Sequence, residues 1–160
     1  MIESKDIIES TYGLKVLSIK PCRAGYILDT DKGKKHLRQC QCSENRLFFV
    51  HDAKTHLYKN GFTNLDTYSE ALNGNPYMEI DNKYYVLTPY FDARECEFGD
   101  DTDAIKASVA LALMHKAGKG FRPGEGLSVP SDLGRLPESL GKRYEEILRM
   151  RRKAERERGA

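Results

Sequence analysis

The chain has 160 residues, 39% of them hydrophobic and 31% charged, with a formal net charge of +2 and a mean hydropathy of −0.62. That is about one domain's worth of chain. The uncharged runs, such as Ala107–Met114, fall short of the roughly 18 apolar residues a membrane span needs. The start, MIESKDIIES, lacks the apolar stretch of a signal peptide, so a cytosolic origin is expected.

Ser4 to Tyr12 reads as a short amphipathic helix, capped by Ser4 and stopped by Gly13. Leu14–Pro21, Tyr26–Thr30 and Lys35–Cys40 read as three strands, the last two joined by a tight Asp31-Lys32-Gly33 turn. Ser43 opens a helix to about Asn60. Leu47, Val50, Ala53 and Leu57 share a face of it, with Phe48 and Tyr58 beside them. Asn60-Gly61 closes this helix. Thr63–Asn75 is loop-like, and Tyr77–Ile80 and Lys83–Pro89 form a second hairpin across Asp81-Asn82. Asp100–Ala117 is a helix with Ile105, Ser108, Val109, Ala112 and Met114 or His115 on its apolar face. Lys119–Leu133 is rich in Gly and Pro and reads as a surface loop. Pro137 starts a last helix that runs nearly to the end. The predicted fold is α+β: a five-stranded antiparallel sheet with a helix inserted between its third and fourth strands, followed by C-terminal helices.

Four cysteines, Cys22, Cys40, Cys42 and Cys96, read as free thiols rather than a disulfide framework. Cys40-Gln41-Cys42 has no second ligand pair nearby, so no metal site is expected. His51 and His56 are five apart and do not share a helix face, and His115 sits near a helix C-terminus where a cation is favoured. No GxGxxG, GxxxxGK[ST] or GxSxG pattern occurs. The near-neutral net charge hides a gradient. Residues 135–160 carry nine Arg or Lys against five Glu, leaving the rest of the chain net negative. With Tyr144 as the only aromatic in that tail, it reads as a solvated helix face, and nucleic-acid binding stands behind that reading. Leu140, Tyr144, Ile147 and Leu148 form an apolar stripe expected to meet the domain or a partner, with weak self-association as one outcome.

Four segments, DTDKGKKHL (Asp29–Leu37), SENRLFFVHDAKTHLYKNGF (Ser43–Phe62), KYYVLTPYFDAREC (Lys83–Cys96) and ALMHKAGKGF (Ala112–Phe121), carry a resemblance. In their order and spacing the chain resembles the N-terminal lobe of CotS-type spore coat proteins, in the kinase-like superfamily that includes aminoglycoside phosphotransferases. The segment LPESLGKRYEEILRMRRKAE looks like the entry to that family's C-terminal lobe. The resemblance implies a kinase-like N-lobe over residues 1–121, a connector over 122–136 and a C-terminal helix over 137–160.

In such lobes a third-strand lysine holds the α- and β-phosphates and pairs with a carboxylate on the inserted helix. The resemblance puts Arg38 at the lysine position and Asp52 at the carboxylate, with Glu44 as the alternative. It makes Leu87, Pro89 and Tyr90 part of the hinge that would face an adenine. Arginine is planar and bulkier than lysine, and Pro89 removes an N–H donor. No His-Gly-Asp motif with a downstream Asn occurs in Arg122–Ala160. This chain alone is therefore expected to be inactive as a kinase, with ATP and Mg²⁺ relevant only if a C-terminal lobe is supplied. Three functions follow: a non-catalytic assembly role in a spore coat, among other coat proteins; one half of an ATP-dependent small-molecule phosphotransferase; and nucleic-acid binding through the last helix.

Overall fold

The structure, a computed structural model, describes residues 5–97, 99–127 and 136–158. It comprises two compact units, Met1–Leu127 and Ser128–Ala160. The first holds α1 (Lys5–Tyr12), β1 (Val16–Cys22), β2 (Gly25–Thr30), β3 (Gly33–Cys40), α2 (Glu44–Lys59), β4 (Met78–Ile80), β5 (Lys83–Pro89) and α3 (Asp101–Ala117). The second holds α4 (Leu136–Arg158). The strands form the expected antiparallel sheet, and their order is β1-β2-β3-β5-β4. The expected cap at Ser4 lies outside the described residues.

Two of the three hairpins rest on the turn chemistry that the sequence announces. Asp81 and Asn82 take φ of 52° and 57°, the left-handed pair that a two-residue hairpin requires and that Asp and Asn tolerate best after glycine. At the β2–β3 turn Gly33 has φ of 87°, and Thr30 Oγ1 donates to its carbonyl at 2.6 Å.

The sheet is apolar on both faces, but with different partners. On one face Leu28, Leu37 and Leu87, from three strands, are fully buried with Val16 and with Ile8 of α1. Glu9 ties α1 to β1 by accepting from the Val16 N–H at 2.6 Å. On the other face Val86 packs with Leu47 of α2, Tyr68 and Tyr77, flanked by Cys40, Phe48 and Tyr84. Each buried Leu or Val is worth about 1.5–3 kcal/mol.

Two helices depart from expectation. Ser43 occupies the α2 N-cap in extended conformation, yet its side chain makes no capping bond. Its carbonyl instead accepts from the N–H groups of Arg46 and Leu47 at 3.0 and 3.2 Å. The face of α3 expected to pack is open: Ile105 and Val109 are 64% and 54% exposed. The helix is instead anchored through its ends. Asp103 and Ala117 are buried, and Asp100 caps it by accepting from the Thr102 N–H at 2.8 Å.

Gly25 makes the closest approach in the sheet. Its φ is 143°, and a Cβ there would sit 2.2 Å from the Leu37 carbonyl oxygen. Any side chain must push β2 away from β3. Gly25→Ala is expected to cost about 2–4 kcal/mol, read as a lowered urea midpoint with an unchanged slope.

Candidate functional site

Side chains alternate along a strand, so β3 sends Leu37 into the α1-side core and His36, Arg38 and Cys40 to the opposite face. The α2 layer covers the Cys40 end of that face. Towards β1 the face is open, and a cleft of about 160 Å³ lies there between Ser18, Lys20, Ile27, Asp29, Lys34 and Tyr90.

Arg38 stands at the boundary. Its Nη2 donates to Asp66 Oδ2 at 3.1 Å. Lys54 of α2 donates to the same carboxylate through Oδ1 at 2.7 Å, and to the Asp66 carbonyl at 2.8 Å. One carboxylate thus serves two cations, leaving a local excess of positive charge. The Arg38 Nε is buried without a hydrogen-bond partner. Lys54 also lies 4.4 Å from the centre of the Tyr68 ring. Burial lowers the Lys54 pKa, and the contact with Asp66 works in the opposite direction.

The carboxylate partner is not the one expected. Asp52 turns to the far side of α2, where its Oδ2 accepts from the Gly124 N–H at 3.2 Å. Two helical positions differ by about 200° around the axis, so with Lys54 facing the sheet Asp52 faces away. Glu44, the alternative, accepts from the Tyr77 hydroxyl at 2.5 Å, and that bond pushes the Tyr77 pKa up to about 12. Asp66, 28 residues along from Arg38, supplies the charge from a loop without periodic signal. A sequence clue did exist. Lys54 falls within the stripe Leu47, Val50, Leu57, and a lysine on a packed face calls for a carboxylate partner.

The hinge residues are placed as follows. Leu87 is fully buried in the α1-side core, and its carbonyl accepts from the Ser69 N–H at 2.7 Å. Pro89 offers no N–H. The Tyr90 N–H already donates to the Lys34 carbonyl at 3.2 Å, while its side chain lines the cleft. An adenine edge would thus find neither N–H free at 89–90, so the positively charged Arg38 end is the better-equipped part of this face.

Beyond β5, Arg94 makes a two-pronged contact with Asp103, at 2.6 and 2.8 Å, and the Glu97 N–H adds a third bond at 3.0 Å. The guanidinium, helped by that N–H, holds the Asp103 carboxyl below its ordinary pKa. This clamp fixes the start of α3 to the segment leaving the sheet.

On α4, taken by itself, Leu140, Tyr144 and Ile147 are each about 60% exposed, and Leu148 is half-buried. Lys142–Glu138, Arg143–Glu146 and Arg151–Glu155 pair along the helix at 2.8–2.9 Å. Arg149 donates to the Glu145 backbone carbonyl rather than its carboxylate. Among the described residues, no helix is long and apolar enough to cross a membrane, and no group of three or more His, Cys, Asp and Glu could hold a metal ion.

No family model matches the chain, and no curated protein matches it. Its structure is similar to that of an aminoglycoside phosphotransferase from Alicyclobacillus acidocaldarius, with a TM-score of 0.66 and 17% identity. The match covers 76% of this chain and 39% of that one, so the chain spans well under half the length of that protein. At this identity the likeness shows the fold alone: a kinase-like lobe.

Within that lobe His36 shares a strand face with Arg38. Burial, then the nearby Arg38, lower its pKa from the ordinary 6.5, and Asp66 opposes them. The unfolded chain therefore binds more protons just below pH 6.5, and stability falls as pH drops through that window. Melting curves of wild type and His36→Asn from about pH 7.5 to about pH 5 should show wild type losing ground to the variant on the acid side. A constant difference would count against the sign.

Proposed function

We propose that this chain is the sheet-bearing lobe of a kinase-like protein of the CotS type, and that it works by assembly in a spore coat rather than by phosphoryl transfer of its own. The observation that carries this reading is α3. Ile105, Val109, Leu111 and Leu113 are each at least half exposed on a helix whose first turn is clamped to the sheet's exit. Apolar side chains of this size favour burial by about 1.5–3 kcal/mol each, which a covering partner would recover. The phosphotransferase of similar fold has most of its chain outside the matched part, and a second lobe or a coat protein is the proposed cover here. The spore-coat setting draws its support from the sequence resemblance, and the non-catalytic role from the lack of a His-Gly-Asp motif in Arg122–Ala160. A tagged chain expressed in a sporulating bacterium should fractionate with the spore coat, and Ile105→Glu with Val109→Glu should release it while leaving its melting temperature near wild type. Wild-type chain wholly in the soluble mother-cell fraction would sink this reading.

A second reading is favoured by the two cations on Asp66. With a second lobe present, the chain would form part of an ATP-dependent small-molecule phosphotransferase, and Arg38 would hold the phosphates of the nucleotide. Mg²⁺ would neutralise the developing charge on the transferred group, held by carboxylates of that second lobe. This chain's own part is to bind and orient: Asp66 holds the guanidinium, and Lys54 holds Asp66. Millimolar Mg-ATP should raise the melting temperature of wild type, and Arg38→Ala should abolish the shift. No shift in wild type would leave only the assembly role.

A further inference from the structure

Cys22 closes β1, and its sulfur reaches over β2 to lie 3.6 Å from Nε2 of His36 on β3. The crossing is possible because the residue paired with Cys22 is Gly25, which puts no side chain in the way. His36 and Arg38 are two apart on one strand and share a face, so the thiol stands on the open part of the sheet, near the cation of the candidate site. Both Cys22 and His36 are half-buried rather than sealed.

The other thiols are placed differently. Cys40 and Cys42 pack against the core of Leu47, Tyr77 and Val86, and burial pushes the Cys40 thiol up. Cys96 is exposed on the segment after β5. Cys22 alone among the four is recorded with an imidazole nitrogen against its sulfur, and a thiol beside a base is the arrangement that activates a nucleophile.

We propose that Cys22 and His36 form a nucleophile–base pair that makes Cys22 the oxidant-sensitive thiol of this chain, and that its oxidation by a hydroperoxide hinders anion binding at Arg38. His36 Nε2 takes the thiol proton as sulfur attacks one peroxide oxygen. An S–O bond forms and the O–O bond breaks. The departing oxygen takes the proton back from the imidazolium. Hydrogen peroxide and the thiol thus yield sulfenic acid and water, sulfur losing two electrons and the peroxide gaining them. Neutral His36 suits the accepting role, and its lowered pKa keeps it neutral at physiological pH. The new oxygen occupies space on the face that Arg38 shares, and an acidic product there would compete for the guanidinium. This second half rests on the phosphate-binding reading above; the reactivity of the pair does not.

The test treats the full chain with hydrogen peroxide in the presence of dimedone, which traps sulfenic acids, and maps the adduct by peptide mass spectrometry. Cys22 should label first. His36→Asn should slow that labelling about tenfold or more at pH 8, where the variant should melt near wild type, and leave alkylation of Cys96 by iodoacetamide unchanged. Cys96 labelling first, or an unchanged rate at Cys22 in His36→Asn, would overturn the pair. Pyrophosphate binding is then measured before and after oxidation. Wild type should lose affinity on oxidation and Cys22→Ser should keep it; oxidised wild type that binds as well as reduced chain overturns the blocking effect. Failure of the reduced chain to bind pyrophosphate overturns the blocking effect and the phosphate reading together, while the labelling result still decides the pair.

Discussion

The register of β3 is the constraint on which the rest hangs. Its side chains alternate between a dry face, where Leu37 pairs with Leu87 and clusters with Leu28, and a face holding His36, Arg38 and Cys40. A slip of one residue would bury Arg38 and expose Leu37. The slip is blocked from both sides, by the close approach of Gly25 to the Leu37 carbonyl and by the pairing with β5. The core therefore positions the arginine, and the arginine needs no stabilising role of its own to be held there.

Because Arg38 is placed by the strand, its carboxylate partner can come from elsewhere. The loop carrying Asp66 is stitched to the sheet by the Ser69 N–H on the Leu87 carbonyl, and Lys54 holds the Asp66 backbone as well as its side chain. The helix thus contributes a cation, Lys54, where the sequence resemblance would put an anion. The charge order of the site is rearranged while one carboxylate still orients the third-strand cation.

Much of the fold was legible in the sequence because it depends on local rules. Asp81-Asn82 and the Asp31–Gly33 turn announce hairpins by their backbone preferences, and α2 announces itself by the spacing of Leu47, Val50 and Leu57. The candidate site was less legible. Arg38 was named through the resemblance, but Asp66 lies in an aperiodic loop, and only three-dimensional packing brings it 3.1 Å from the guanidinium. Helix α3 shows the opposite difficulty. Its apolar spacing was plain, yet spacing says that a face exists and not that the same chain covers it. The Cys22–His36 contact was invisible for a related reason: it spans two strands and depends on the missing side chain of Gly25.

Gly25 also bears on how this chain can change over time. Every single-nucleotide change of a glycine codon that alters the residue gives alanine, valine, serine, cysteine, arginine, tryptophan, aspartate or glutamate, or stops translation. All eight residues carry a Cβ, and at this position a Cβ collides with the backbone of the neighbouring strand. No one-step coding neighbour of this turn preserves its geometry. Gly25 is a mutational dead end, and variation in this turn is left to its exposed neighbours Arg23 and Ala24.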